Sequence, residues 1–157
     1  MSLGIVMKHS GPNNRLNSTI ASFIQYFRGL APDALRPAPS AERGPREVLV
    51  HIVFWHEQYA AIAGALLCHQ ALPLQKGTFK QLNALAVKEN SSCLIDELLR
   101  RLERAQYRLS ELARSDNTVA LHLSFREGSK LWPFEEAIDR IEKHIRGHQV
   151  KLRRRVR

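Results

Sequence analysis

Three of the seven histidines in this 157-residue chain stand where helical periodicity turns them toward a packed face. His144 and His148, in "RIEKHIRGHQVKLRR", flank the apolar Ile141 and Ile145. At ~100° per residue both rings point to the side that packs rather than to open water. His51, in "PREVLVHIVFWHEQY", lies between Val48 and Trp55 on the inward stripe of an earlier segment. Three neutral imidazoles with one position left open form the ligand count of a catalytic metal site, because the free position can hold a water or thiol whose pKa the metal lowers. The same spacing suits a second reading, in which the three are partly buried histidines bonded to carboxylates such as Glu47 or to backbone. Glu47, one turn before His51, could orient that ring or serve as a base, or simply be a solvated first-turn glutamate.

The remaining histidines read as surface or local hydrogen-bonding residues: His9 in a tail, His56 on another side of its helix, His69 at a helix end and His122 in a crossover. Cys68 and Cys93 have no C-x-x-C spacing, which disfavours a cysteine zinc site and a disulfide framework and marks both as buried small hydrophobes. No G-x-S-x-G, P-loop, dinucleotide fingerprint or H-E-x-x-H occurs.

The elements that must carry these residues are helices. Leu16, Ile20, Phe23, Ile24 and Phe27 recur at three-and-four spacing over 14–30, and the Pro-rich "APDALRPAPSAERGP" then ends the periodicity. A second helix is expected from Pro45 to about Leu72, with Val48, Ile52, Trp55, Tyr59, Ile62 and Leu66 on one stripe. "PLQKGTFKQLNALAV" reads as a loop with a short helix. Ser91 or Ser92 is placed to cap a third long helix, with Leu94, Leu98, Leu102, Ala105, Leu109 and Leu112 inward and Arg100, Arg101, Arg104 and Arg108 in water. "TVALHLSF" alternates like a strand but has no evident pairing partner, so an extended crossover is expected. Pro133 opens the last helix, with Phe134, Ala137, Ile138, Ile141, Ile145 and Leu152 inward. These features predict an all-α fold, a four-helix bundle whose sites are built from side chains on facing helices.

Length and 44% apolar composition predict one domain over 1–157, with 1–13 as an N-terminal tail. The opening "LGIVM" lacks the basic leader and cleavage site of a signal peptide, and no stretch is apolar enough to span a bilayer. A cytoplasmic protein without membrane contact is therefore expected. The net charge of +9 is concentrated at the C-terminus, where Lys151, Arg153, Arg154, Arg155 and Arg157 complement the negative end of a helix dipole.

The two histidine segments together resemble the DinB-like four-helix bundles. The stretch "GTFKQLNALAV…DELLRRLERAQYRLSEL" between them is most similar to the ClbS/DfsB branch, and the resemblance covers Asn14 to Arg155. It implies a divalent-metal site with His51 from the second helix and His144 and His148 from the fourth. It further implies thiol transfer to electrophiles, metal-dependent hydrolysis or hydrolytic protection against a reactive genotoxin.

Two function classes follow. The first is a metal-dependent enzyme in which a Zn²⁺, Ni²⁺ or Fe²⁺ site activates water or a low-molecular-weight thiol against a small electrophile. Imidazole ligands do not select among those metals. Trp55 and Tyr59 would wall its pocket and Asn83 would add a polar contact. The second is a non-enzymatic protein that contacts nucleic acid through its arginine-rich C-terminus, in strongly salt-dependent fashion, although no reading motif or interleaved aromatics accompany the charge. A structural homodimer is a third arrangement that the chain allows.

Overall fold

The computed structural model describes residues 11–39, 43–115, 118 and 120–155, and these are predominantly helical. Residues 1–10, with His9 and most of the expected tail, lie outside the described residues, as does Arg157. Pro12 and Asn13, also assigned to the tail, instead begin the first helix, α1 (Pro12–Arg28). A proline in the first turn loses no hydrogen bond there, since that N–H has no intrahelical partner. Leu16, Ile20, Phe23, Ile24 and Phe27 are buried along α1, as their spacing requires.

After a 3₁₀ turn (Pro32–Leu35), α2 runs over Pro45–Leu67. It is apolar nearly all round, with Leu49, Val50, Val53, Ala60 and Ala63 buried beside the expected stripe, which is the pattern of a helix covered on several sides. It stops five residues short of the expected Leu72, because His69 takes φ 51°, a left-handed conformation that reverses the chain. The short helix becomes α3 (Phe79–Glu89), and its start is well determined: Thr78 accepts from the Gln81 N–H while the Gln81 side chain reaches back to the Thr78 N–H.

The third long helix, α4, spans Ile95–Ala113 without the expected serine cap. Its N-cap is Leu94, and the first-turn Asp96 and Glu97 supply negative charge at the positive helix end. Leu94 therefore lies outside the helical stripe and is 71% exposed instead of inward. Arg101 was expected in water but is half-buried. Its Nε and Nη2 donate to Glu57 Oε1 and Oε2 at 2.8 and 2.7 Å, a bidentate pair that joins α4 to α2. Neither cysteine is a core residue: Cys68 is exposed and Cys93 half-buried.

The alternating segment does find a partner. His122–Leu123 (β1) pairs antiparallel with Trp132–Pro133 (β2), in the register His122 opposite Pro133 and Leu123 opposite Trp132. Ser129 Oγ accepts from the N–H groups of Phe125 and Arg126, and Gly128 at φ +76° turns the chain. The periodicity marks Pro133 only as the opening of a helix, which hides this pairing. It pairs in the ribbon, and α5 starts at Phe134 and runs to Arg155.

The main packings are α1 on α5 and α2 on α4, with lesser contacts of α1 with α4 and α2 with α5. Ile138, Ile141, Ile145 and Leu152 of α5 are all buried in one core with Phe23, Ile52, Leu98 and Leu102. Among the described residues no helix is long and apolar enough to cross a membrane.

Candidate metal centre

One turn apart on α5, His144 and His148 both face His51, in the second turn of α2. His51 Nε2 stands 2.9 Å from His144 Nε2, and the rings of His51 and His148 have centroids 5.0 Å apart. One ring nitrogen from each of His51, His144 and His148 can be chosen so that all lie within 4.8 Å of one another. In a tetrahedral site with ligands at about 2.1 Å the nitrogens stand about 3.4 Å apart, so the rings would shift on taking up an ion, His51 and His144 spreading slightly from 2.9 Å. The three-histidine group could thus hold a metal ion.

The chemistry of the donors fits that use. Asn83 Oδ1 accepts from the indole N–H of Trp55 at 2.7 Å and lies 2.9 Å from His51 Nδ1. An indole can only donate, so the amide must present its oxygen here, and His51 must carry its proton on Nδ1. Nε2 is then left as a lone pair aimed at His144. A ring N–H held by an outer partner is the usual support of a metal-bound histidine. Burial holds all three imidazoles below their ordinary value near 6.5, His51 at about 3 and His148 at about 4, with Lys151 and Arg43 adding to the effect at His144 and His148. Near neutral pH the three rings are therefore neutral, each with one nitrogen free of a proton, as ligation requires.

The histidines form part of the wall of a cavity of about 800 Å³, within the usual size of a small-molecule site. His51 is buried, His148 half-buried, and His144 is exposed at the rim. Trp55, Tyr59 and Asn83 line the same cavity, together with Phe79, Phe125 and Trp132. Asn83 reaches it from α3 rather than from a loop, and its partner is the histidine itself.

Glu47 is differently placed. It does not line the cavity: its Oε1 accepts from the Ala38 N–H at 2.7 Å, tying the proline-rich segment to the first turn of α2, while its Oε2 is buried without a hydrogen-bond partner. The His51 ring is oriented by Asn83 instead. His56, read as a surface or locally bonded residue, has no exposure at all, and its Nε2 lies 2.5 Å from Gln106 Oε1 of α4. The buried side of α2 is wider than one stripe, so five residues from His51 still leads into the interior.

Sequence reasoning passed over the basic residues around the centre. Arg140, His144, His148 and Lys151 all line the cavity, and their spacing of four, four and three keeps them on one face of α5. That periodicity is present in the sequence, although Lys151 also belongs to the basic C-terminal run. Arg43, before α2, has no such signal and is brought to the cavity by the fold alone. No protein-family model matches the chain, and no curated protein matches it.

Proposed function

We propose that this chain is a divalent-metal-dependent enzyme of DinB-like type, with α1, α2, α4 and α5 as its four-helix bundle and His51, His144 and His148 as its metal ligands. The observation that carries the reading is the 2.9 Å approach of His51 Nε2 to His144 Nε2 from two different helices, with His148 one turn further along. The similarity of the two histidine segments to the DinB-like ligand pattern supports it.

When bound, Zn²⁺, Ni²⁺ or Fe²⁺ supplies a Lewis-acid position that lowers the pKa of a water or a low-molecular-weight thiol. The chain supplies the rest. Asn83 locks the tautomer and angle of His51, and Trp55 locks Asn83. Trp55 and Tyr59 exclude bulk water from one side of the site, which strengthens electrostatic interactions within it. Glu47 holds the entry to α2 in this reading and takes no proton. The substrate is a small electrophile, and the reaction is hydrolysis or transfer of a thiol.

The test is metal analysis of full-length protein purified without a histidine tag, followed by titration with Zn²⁺ and Ni²⁺. About one divalent ion per chain is expected, with binding lost in His51→Ala, His144→Ala and His148→Ala. Failure to take up either ion at micromolar concentration, or full binding by His51→Ala, would remove the metal reading. A p-nitrophenyl ester and an activated aryl halide with added thiol then separate hydrolase from transferase.

A further inference from the structure

Five basic side chains, Arg43, Lys130, Arg140, Lys143 and Lys151, line the cavity, and among the described residues no carboxylate does. Three of the five are engaged close by. Lys143 Nζ lies 2.7 Å from Asp139 Oδ2, and Arg140 Nη2 lies 3.1 Å from Glu136 Oε1. Lys130 Nζ and Arg140 Cζ also lie over the ring of Trp132, at 4.0 and 3.4 Å from its centroid. Arg43 and Lys151 make no ion pair among the described residues, and their charges fall on the rings of His144 and His148.

These two cations come from distant parts of the chain. Arg155 Nη1 donates to the Arg43 backbone oxygen at 2.5 Å, fastening the segment that carries Arg43 to the last turn of α5, beside Lys151. Like charges that line one partly apolar cavity repel each other and raise the local concentration of anions. Another part of the wall is aromatic. Trp55 contacts Phe79 at a centroid distance of 5.2 Å and stacks with Tyr59 at 6.2 Å, and Tyr59 contacts Phe125 at 5.2 Å.

We propose that the cavity takes a small molecule with an anionic group, a carboxylate or phosphate, bound between Arg43 and Lys151 beside the histidines, and an apolar body laid against Trp55, Tyr59 and Phe79. The assignment names the substrate class of the enzyme proposed above and rests on that reading for its catalytic meaning; the binding itself needs no metal. Arg43 offers a planar fork suited to a carboxylate or phosphate, and Lys151 a point charge. The anionic end lies next to the histidine centre, so the electrophilic or thiol-bearing part of the molecule is held within reach of it.

The test is calorimetric titration of full-length protein, stripped of metal and then freed of chelator, with 2-naphthoate, 2-naphthyl phosphate and the neutral 2-naphthamide. Trp55 and Trp132 are the only two tryptophans of the chain and both line the cavity, so their indole N–H resonances locate binding. Both anions are expected to bind at least about tenfold more tightly than the amide, the scale of a hydrogen bond to a charged group. The preference should fall with salt and vanish in Arg43→Gln/Lys151→Gln, with amide affinity unchanged. These side chains are exposed, and circular dichroism checks that the variant is folded. A preference for one anion over the other decides between carboxylate and phosphate within the proposal. Equal binding of anion and amide by the intact protein overturns it, as does an anion preference that survives in the double variant or leaves both indole resonances unmoved. Because metal is removed, these outcomes are independent of whether the three histidines bind an ion.

Discussion

Asn83 Oδ1 accepts from His51 Nδ1 at 2.9 Å, and this one contact decides which nitrogen of His51 faces the cavity. Asn83→Leu removes the acceptor while keeping the volume close. The ring is then free to rotate and to change tautomer, and divalent-metal affinity is expected to fall about 10- to 100-fold, as for other outer partners of metal-bound histidines. Competition with a chromophoric chelator measures it. Unchanged affinity would show that packing alone orients the ring.

His56 separates stability from metal binding. Burial depresses its pKa from about 6.5 to about 4, against the opposing effects of Gln106 and Glu57. The unfolded chain takes up a proton below about 6.5 that the folded chain refuses, so the contribution is whole above that pH and is lost progressively as pH falls toward 4, at up to about 1.4 kcal/mol per pH unit. His56→Leu should reduce this slope in urea titrations between those pH values, His51, His144 and His148 supplying the remainder, and leave the metal stoichiometry at neutral pH intact. An unaltered slope would place the acid sensitivity elsewhere.

Gly147 sits in the middle of α5, between the two histidines, and a Cβ there meets nothing within 4 Å. Gly147→Ala should stabilise the protein by about 0.5–1 kcal/mol through helix propensity alone. Chemical denaturation gives the value. A loss of stability would mean that the helix is held in a geometry alanine does not share.

The last turn of α5 mixes core and solvent within three residues. Leu152 is 2% exposed, whereas Arg154 is exposed. Leu152→Ala is expected to cost about 2–4 kcal/mol and Arg154→Ala less than about 0.5 kcal/mol, as read from thermal or urea unfolding. If the two cost the same, the end of α5 is not packed.

The long helices and the shared side of His144 and His148 are legible in the periodicity of the chain. Apolar residues at three-and-four spacing leave α1, α4 and α5 little choice of buried face, and His144 and His148 inherit their common side from that spacing because both ride on one helix. Local chemistry marked the start of α2 at Pro45, but not the Thr78–Gln81 cap of α3. The rest depends on residues far apart in the chain. The β1–β2 pairing, the approach of His51 to His144, the hold of Asn83 on His51 and the bond from Arg155 to the Arg43 backbone oxygen each join separate segments. Periodicity specifies the direction in which a side chain leaves its own helix. It carries no information on which residue of another element stands opposite, since that depends on how helices slide and cross once their apolar faces have met. For the same reason His56 could be placed on a different side of α2 from His51, yet only the packing of α4 against α2 showed that this side too is closed to water.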